Sequence, residues 1–279
     1  MGVDDIELKC SNIKDFERNM LILSKHINKI FHKDISCLRD LLSIYISISD
    51  LLMRGAGIKI YLGLTYDSNI PLHNAIVNCL TIFSSTLKLL KDGYYGSARV
   101  LIRQALEMLL IAKLLEYKHE KRSKWSKADI RPNDVWEYLK STSRKEKLLI
   151  LRSFYRELCK FAHHTPYSQQ PIYFILSKTD EALSKTVIKA IINTAHTLDL
   201  LYITMCMYAH TLNILHRKVR GWYLGYHPDP LGVESILKQL KNKAKKIRNK
   251  YLELVSKRAE KEVIKDIKMK VRAYQLNWI

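Results

Sequence analysis

The sequence predicts an all-α protein, and three observations lead to that prediction. Glycine and proline are scarce, with 9 and 6 residues in a chain of 279, which is low for a sheet-rich fold with many tight turns. Apolar residues recur with a period near 3.6 through most of the chain. The only strand-like alternation is IKIYLGL at residues 58–64, so we expect at most a short strand or extended loop there.

Residues 1–70 are predicted to form an N-terminal helical extension. Two amphipathic helices are expected, over residues 13–33 and 37–54. In the second, apolar residues recur at helical spacing: Leu38, Leu41, Leu42, Tyr45, Ile48 and Leu52. Three glycines between residues 54 and 71 then end the helical pattern. The acidic start, MGVDDIELK, matches neither a secretory signal nor a transit peptide.

Residues 71–220 are predicted to form a helical core. Four long helices and one short helix are expected, over residues 71–91, 94–118, 135–140, 144–164 and 180–218. Asp92 and Gly93 should end the first of them in a turn. A polar loop is expected over residues 119–134, with Pro132 and Asp134 starting the short helix.

The predicted helix over residues 94–118 is apolar on nearly all sides, yet it carries a stripe of charge. Arg99, Arg103 and Glu107 follow one another at spacings of four residues. Burying such charges without partners is very costly, so each needs a counter-charge or a wet cleft. The spacing favours an Arg103–Glu107 ion pair within the helix. The alternative is a stripe that supports a nearby active cleft.

The last region, residues 221–279, is predicted to start with a Gly/Pro linker and to continue as one long helix over residues 233–273. Between Lys238 and Arg272 the segment has 14 Lys or Arg and 4 Asp or Glu. Its apolar stripe is roughly heptad-like, so one face must pack on something, and an intersubunit coiled contact is one interpretation. The other is nucleic-acid binding by basic residues of the helix: Lys238, Lys241, Lys245, Lys246, Arg248 and Lys250.

The net charge is the strongest signal in the composition. It is +20, from 47 basic and 27 acidic residues. Such an excess indicates a polyanionic partner, with RNA or another nucleic acid first and an anionic membrane surface second. The longest uncharged runs, near residues 70–87 and 200–215, are too short and too polar for a membrane span, so we expect core helices and no membrane partner. The resulting prediction is a soluble, cytoplasmic protein.

The cysteines argue against a metal or disulfide framework. Five of them are scattered along the chain without a CxxC pair: Cys10, Cys37, Cys79, Cys159 and Cys206. This spacing favours free, mostly buried thiols. Carboxylate clusters and His/Cys ligand spacing are also missing, so neither a metal nor another cofactor is expected.

The candidate catalytic residues lie in RELCKFAHHTP, residues 156–166. The expected core face of their helix is Leu148, Leu151, Phe154, Tyr155, Leu158 and Ala162. At about 100° per residue, Arg156 and His163 fall within about 20° of each other on the flank of that face, while His164 lies about 100° further round. Pro166 ends the helix at one of these histidines. A phosphate could then reach both Arg156 and His163. The alternative is that the histidine only interacts favourably with the dipole at the C-terminus of the helix.

The stretch from Arg156 to His163 resembles the Arg–(four to six residues)–His motif of the HEPN superfamily, which lies near the end of the third helix of an all-α core. The segment 93–115, GYYGSARVLIRQALEMLLIAKLL, is similar in style to the second core helix of several prokaryotic members. The resemblance is limited to about residues 71–213. It implies a HEPN-like helical bundle with an N-terminal helical extension and a long basic C-terminal helix. In one departure, Glu157 stands where catalytic members often have Asn, Asp or His.

The resemblance implies a metal-independent endoribonuclease that acts as a homodimer, with two motif helices meeting in one composite site. His163 would transfer protons to and from the ribose 2′-OH and the leaving oxygen, with His164 in reserve, and Arg156 would stabilise the charged phosphorane. The expected supporting residues are Arg152, Glu157, Arg103 and Glu107. HEPN proteins are often toxins or antiviral effectors, so an antitoxin-type protein partner is expected too.

The alternative function is a non-catalytic module. HEPN-like domains also occur without activity, as dimerisation or nucleotide-binding modules. A helical protein with a basic C-terminal helix could hold nucleic acid by phosphate contacts alone, and its affinity would then fall steeply with salt.

Overall fold

The computed structural model describes residues 13–61, 70–117, 132–142, 144–162, 180–226 and 232–276. Within these ranges every regular element is an α-helix, as predicted. The eight described helices are α1 (Ile13–Tyr61), α2 (Ile70–Lys91), α3 (Tyr95–Tyr117), α4 (Pro132–Thr142), α5 (Lys145–Ala162), α6 (Asp180–Tyr226), α7 (Val233–Arg258) and α8 (Lys261–Leu276).

The helices α2 and α3 form a hairpin whose turn matches the prediction. Gly93 has φ +88°, a backbone conformation that glycine adopts without a steric penalty, and its N–H donates to the Leu90 carbonyl over 3.2 Å. The Tyr94 N–H caps the same helix end through the Leu89 carbonyl at 2.8 Å. A side chain at Gly93 would also come within 3.4 Å of Met20 on α1.

The centre of the molecule is α6, which packs against α1, α2, α3 and α8. Every residue from 197 to 208 is buried. The segment Val187–Arg217 is long and apolar enough to cross a bilayer, with a mean hydropathy of 1.2, but 83% of its most apolar window is buried inside the protein. This burial is typical of the core helix of a soluble protein.

The predicted division of the N-terminal region into two helices is wrong, because α1 runs without a break through residues 34–36. Its buried stripe stays in phase across that point, from Ile27 and Phe31 to Ile35 and Leu38. Asp34 interrupts the apolar pattern but not the helix. Its carboxylate is buried because Arg258 of α7 pairs with it at 3.1 Å.

The predicted strand or extended loop near residue 60 is also wrong where the structure describes it. The helix α1 continues through both early glycines to Tyr61, and residues 62–69 lie outside the described ranges. A glycine inside a helix costs only about 1 kcal/mol relative to alanine, which the rest of a 49-residue helix offsets.

The C-terminal region differs from the prediction at two points. The expected linker at 221–232 begins late, because α6 continues to Tyr226, and residues 227–231 lie outside the described ranges. The expected single helix over 233–273 is broken after Arg258, since Ala259 is extended (φ −141°, ψ 157°). The break lets α8 fold back onto α5 and α6.

The helices of all three predicted regions contribute to one continuous cluster of buried side chains. The apolar stripe of α7 packs mainly against α1 of the same chain, with Leu237, Ala244, Tyr251 and Val255 buried. The four cysteines of the described ranges are free thiols, and Cys79 and Cys206 are among the buried ones; Cys10 lies outside those ranges.

Candidate functional site: a basic groove beside a charged centre

The motif helix α5 presents its predicted core face to the interior. Leu148, Leu151, Phe154 and Leu158 are all buried. Arg156, on the other side, is exposed. His163 and His164 lie outside the described ranges, so the expected alignment of Arg156 with His163 remains a prediction.

Glu157, next to Arg156, joins three helices. Its Oε1 atom lies 2.7 Å from Nε2 of His196 on α6, and its Oε2 atom lies 3.0 Å from Nζ of Lys270 on α8. Lys270 also pairs with Asp266 at 2.8 Å. Burial alone would raise the pKa of the Glu157 carboxyl, but the hydrogen bond from His196 and the charge of Lys270 outweigh burial and lower that pKa to about 2.

Arg99 completes this charged centre from α3. It is 2% exposed, and its Nε donates to Thr197 Oγ1 over 2.8 Å. Its Nη2 lies 3.1 Å from the Asn193 carbonyl oxygen and 3.2 Å from His196 Nδ1. Burial lowers the pKa of the guanidinium to about 10, so Arg99 stays charged at neutral pH.

These contacts decide what His196 can do. A guanidinium only donates hydrogen bonds, so Nδ1 of His196 accepts from Arg99 and Nε2 donates to Glu157. Both ring nitrogens therefore make contacts with neighbouring helices, one with α3 and one with α5. We therefore assign the charged centre (Arg99, Glu157, His196, Asp266 and Lys270) a structural role: it fixes the motif helix against α3, α6 and α8.

A second set of polar contacts ties α3 to the motif helix. Arg103 Nε pairs with Glu107 Oε1 at 2.8 Å, as the spacing predicts, and Tyr155 donates its hydroxyl to the same oxygen over 2.7 Å. Arg103 also lies over the Tyr155 ring, 5.4 Å from its centre. Arg152 lies similarly over Trp136 of α4, at 5.8 Å. All four predicted supporting residues therefore make contacts that hold helices together.

A basic groove with a volume of about 570 Å³ lies between α5 and α8. Its charged lining residues are Lys147, Lys261, Lys265, Lys268 and Arg272, and none of its lining residues among those the structure describes is acidic. Ile150, Ile264 and Met269 form apolar parts of the lining. The groove can therefore hold a polymer that carries a row of anionic groups and also has apolar parts.

The basic groove is lined by the second half of the basic C-terminal segment, which the predicted nucleic-acid-binding residues do not include. Lys261, Lys265, Lys268 and Arg272 are spaced by four, three and four residues, which puts them on one face of a helix. That spacing was a usable signal. The six predicted residues lie on α7, where Lys238, Lys245, Lys246 and Lys250 are exposed, and their binding role stays a prediction.

The other two selected residues, Lys241 and Arg248, are half-buried. Nζ of Lys241 lies 2.9 Å from Nδ1 of His216, whose Nε2 pairs with Glu234 at 3.0 Å. Arg248 contacts Cys206 and lines a small cavity. Within the part of the chain that is described, no three His, Cys, Asp or Glu residues are grouped so that they could hold a metal ion.

Comparison of the chain with protein-family models, with curated proteins and with solved structures found no match.

Proposed function

We propose that this protein binds RNA or another nucleic acid through the basic groove between α5 and α8. One observation carries the proposal: five basic side chains from two helices line the groove, and no described lining residue is acidic. A nucleic-acid strand brings a row of phosphates that releases counterions when lysine and arginine neutralise it. The apolar lining, with Ile150 and Met269, offers surfaces against which bases can pack.

Two further features support a polyanionic partner. The net charge is +20, and exposed lysines continue along α7 at positions 238, 245, 246 and 250. Such a surface attracts nucleic acid at long range and speeds encounter. The groove then supplies the short-range contacts.

Removal of groove charge tests the proposal. In the groove variant, Lys265, Lys268 and Arg272 are changed to Gln; in the control variant, the exposed Lys25, Lys29 and Arg39 of α1 are changed to Gln, so both have the same net charge. RNA affinity is measured by fluorescence anisotropy at several salt concentrations. The groove variant should lose at least about tenfold in affinity, and its slope of log K against log[salt] should fall by about 2 for three lost phosphate contacts. Equal losses in the two variants would show that only net charge matters and would contradict a groove.

A second candidate function is the metal-independent RNA cleavage that the HEPN resemblance implies. The observation that favours it is the exposure of Arg156, since a planar cation on the surface of the motif helix is accessible to a phosphate. In this proposal His163 is the acid/base, His164 the reserve, and Arg156 stabilises the phosphorane. Two copies of the chain form a dimer that makes the site. The protein acts in the cytoplasm as a toxin or antiviral effector. An antitoxin-type protein partner inhibits it.

Cleavage is tested with purified protein in EDTA, with product ends analysed for cyclic phosphate. His163→Ala should lower the rate by roughly 10² to 10⁴, and His164→Ala should do less. Arg156→Lys should also lower the cleavage rate, because the ammonium group of lysine does not reproduce the planar set of N–H donors of a guanidinium. Sedimentation should report twice the 32.7 kDa chain mass. A monomer, or equal cleavage by wild type and the Arg156/His163 double variant, would contradict the cleavage proposal and leave only the nucleic-acid-binding proposal.

A further inference from the structure

A second, smaller cavity lies between α1, α6, α7 and α8 and shares no lining residue with the basic groove. Its volume is about 110 Å³. One water molecule needs only about 15 Å³ on this measure, and pockets for drug-sized ligands start near 300 Å³. The cavity therefore suits an ion or molecule of a few heavy atoms.

One buried hydroxyl of the cavity makes no hydrogen bond. Tyr45 of α1 is 1% exposed, and its Oη atom has no hydrogen-bond partner among the described residues. The neighbouring Tyr208 contrasts with it, because its hydroxyl lies 2.7 Å from Ser49 Oγ. Leaving a buried hydroxyl unbonded costs about 1–3 kcal/mol, so a ligand that accepts a hydrogen bond from it would regain that energy.

The other polar lining residues give the cavity a positive character. Arg248 of α7 is half-buried and contacts Cys206, and it makes no ion pair with a carboxylate of the described residues. Lys241 lines the same cavity, and no acidic side chain of the described chain does so. His210 also lines the cavity, and burial, followed by the influence of Lys113 and Arg217, lowers the pKa of its imidazole to about 4, so the ring is uncharged at neutral pH.

We infer that this cavity binds a phosphate-sized oxyanion, either free phosphate or the terminal phosphate of a larger molecule. Arg248 and Lys241 supply the charge, and the Tyr45 hydroxyl donates from the interior. Asn213 and Gln275 are exposed lining residues, and their amides donate from the mouth. The proposal does not rest on nucleic-acid binding, because its residues belong to a different cavity and free phosphate is sufficient to occupy it.

The test compares matched tyrosine variants. The shift in Tm that inorganic phosphate causes is measured against sodium chloride at equal ionic strength, and the Kd is obtained by calorimetry. Tyr45→Phe keeps the apolar ring but removes the hydroxyl, so it should weaken phosphate binding by about tenfold. Tyr208→Phe removes a hydroxyl that already has a partner and should leave the phosphate Kd unchanged, whatever it does to the Tm. Arg248→Gln should abolish the phosphate-dependent shift.

Two further arms identify the source of the phosphate. A 5′-phosphorylated dinucleotide is compared with the same dinucleotide without the phosphate. Tighter binding of the phosphorylated form than of inorganic phosphate assigns the site to a phosphate terminus, and the reverse order assigns it to the free ion. No phosphate-specific shift in wild type, or the same Kd in wild type and Tyr45→Phe, overturns the inference and leaves a cavity that holds water.

Discussion

The contact between α5 and α8 has two surfaces that use the same kind of side chain in different ways. On one surface Lys270 is 8% exposed and pairs with Glu157 at 3.0 Å and with Asp266 at 2.8 Å. On the other, Lys268 is exposed in a groove without a described acidic lining residue. Lys268 and Lys270 are thus separated by a single residue, yet Lys270 stabilises the fold whereas Lys268 faces the solvent. A formal charge of +20 counts both alike, although only the second kind is available to a polyanion.

The largest effect that this comparison predicts is on stability. Lys270→Met leaves Glu157 without its ammonium partner and should lower the free energy of unfolding by about 2–3 kcal/mol, less than for a fully buried pair because Glu157 is 25% exposed. Lys268→Met, the matched control, should change it by at most about 0.5 kcal/mol. Urea unfolding followed by circular dichroism measures both. Equal effects would remove the distinction between the two surfaces.

A smaller effect should appear as a dependence on pH. The pKa of Glu157 falls from 4.5 to about 2 on folding, so its contribution to stability is complete above about pH 4.5 and is lost as the pH falls towards 2. The difference in unfolding free energy between wild type and Glu157→Gln should therefore shrink across that window. Glu253→Gln, at an exposed position of α7, serves as the control. A difference that stays constant down to pH 3 would show that Glu157 is not held ionised by its partners.

The smallest effect is expected at Glu107. It is 23% exposed and bonded to Arg103 and Tyr155, which is intermediate between the two surfaces of the α5–α8 contact. Glu107→Gln keeps an oxygen that can accept the hydrogen bond from Tyr155 and weakens only the ion pair with Arg103. We therefore expect the free energy of unfolding to fall by about 0.5–1 kcal/mol. Thermal unfolding of the two proteins in low and high salt checks this, because the difference should shrink as salt screens the pair.

The sequence predicted what is local. Helical spacing anticipated α2 and α3 closely, and the four-residue spacing of Arg103 and Glu107 anticipated their pair. Asp92 and Gly93 anticipated the turn between the two helices. Each of these depends on residues within one or two helical turns of one another, where the geometry of the helix fixes the distances.

Distant partners could not be predicted in this way. Arg99 is satisfied by groups 94–98 residues away, and Glu157 by Lys270, 113 residues away. No periodicity records such pairs. The break after Arg258 was missed for the same reason: the chain has neither glycine nor proline there, while the side chain of Arg258 reaches Asp34 and Asp199 on two other helices.

The contact between Arg258 and Asp34 also has a consequence for biosynthesis. The two residues are 224 positions apart, and at about 5–20 residues per second Asp34 is made roughly 10–45 s before its partner. During that interval the face of α1 that α7 will cover, where Cys37 contacts Ile247, has no covering helix. We therefore expect the first helix to depend on transient shielding, by chaperones or by the ribosome surface, until almost the whole chain has been translated.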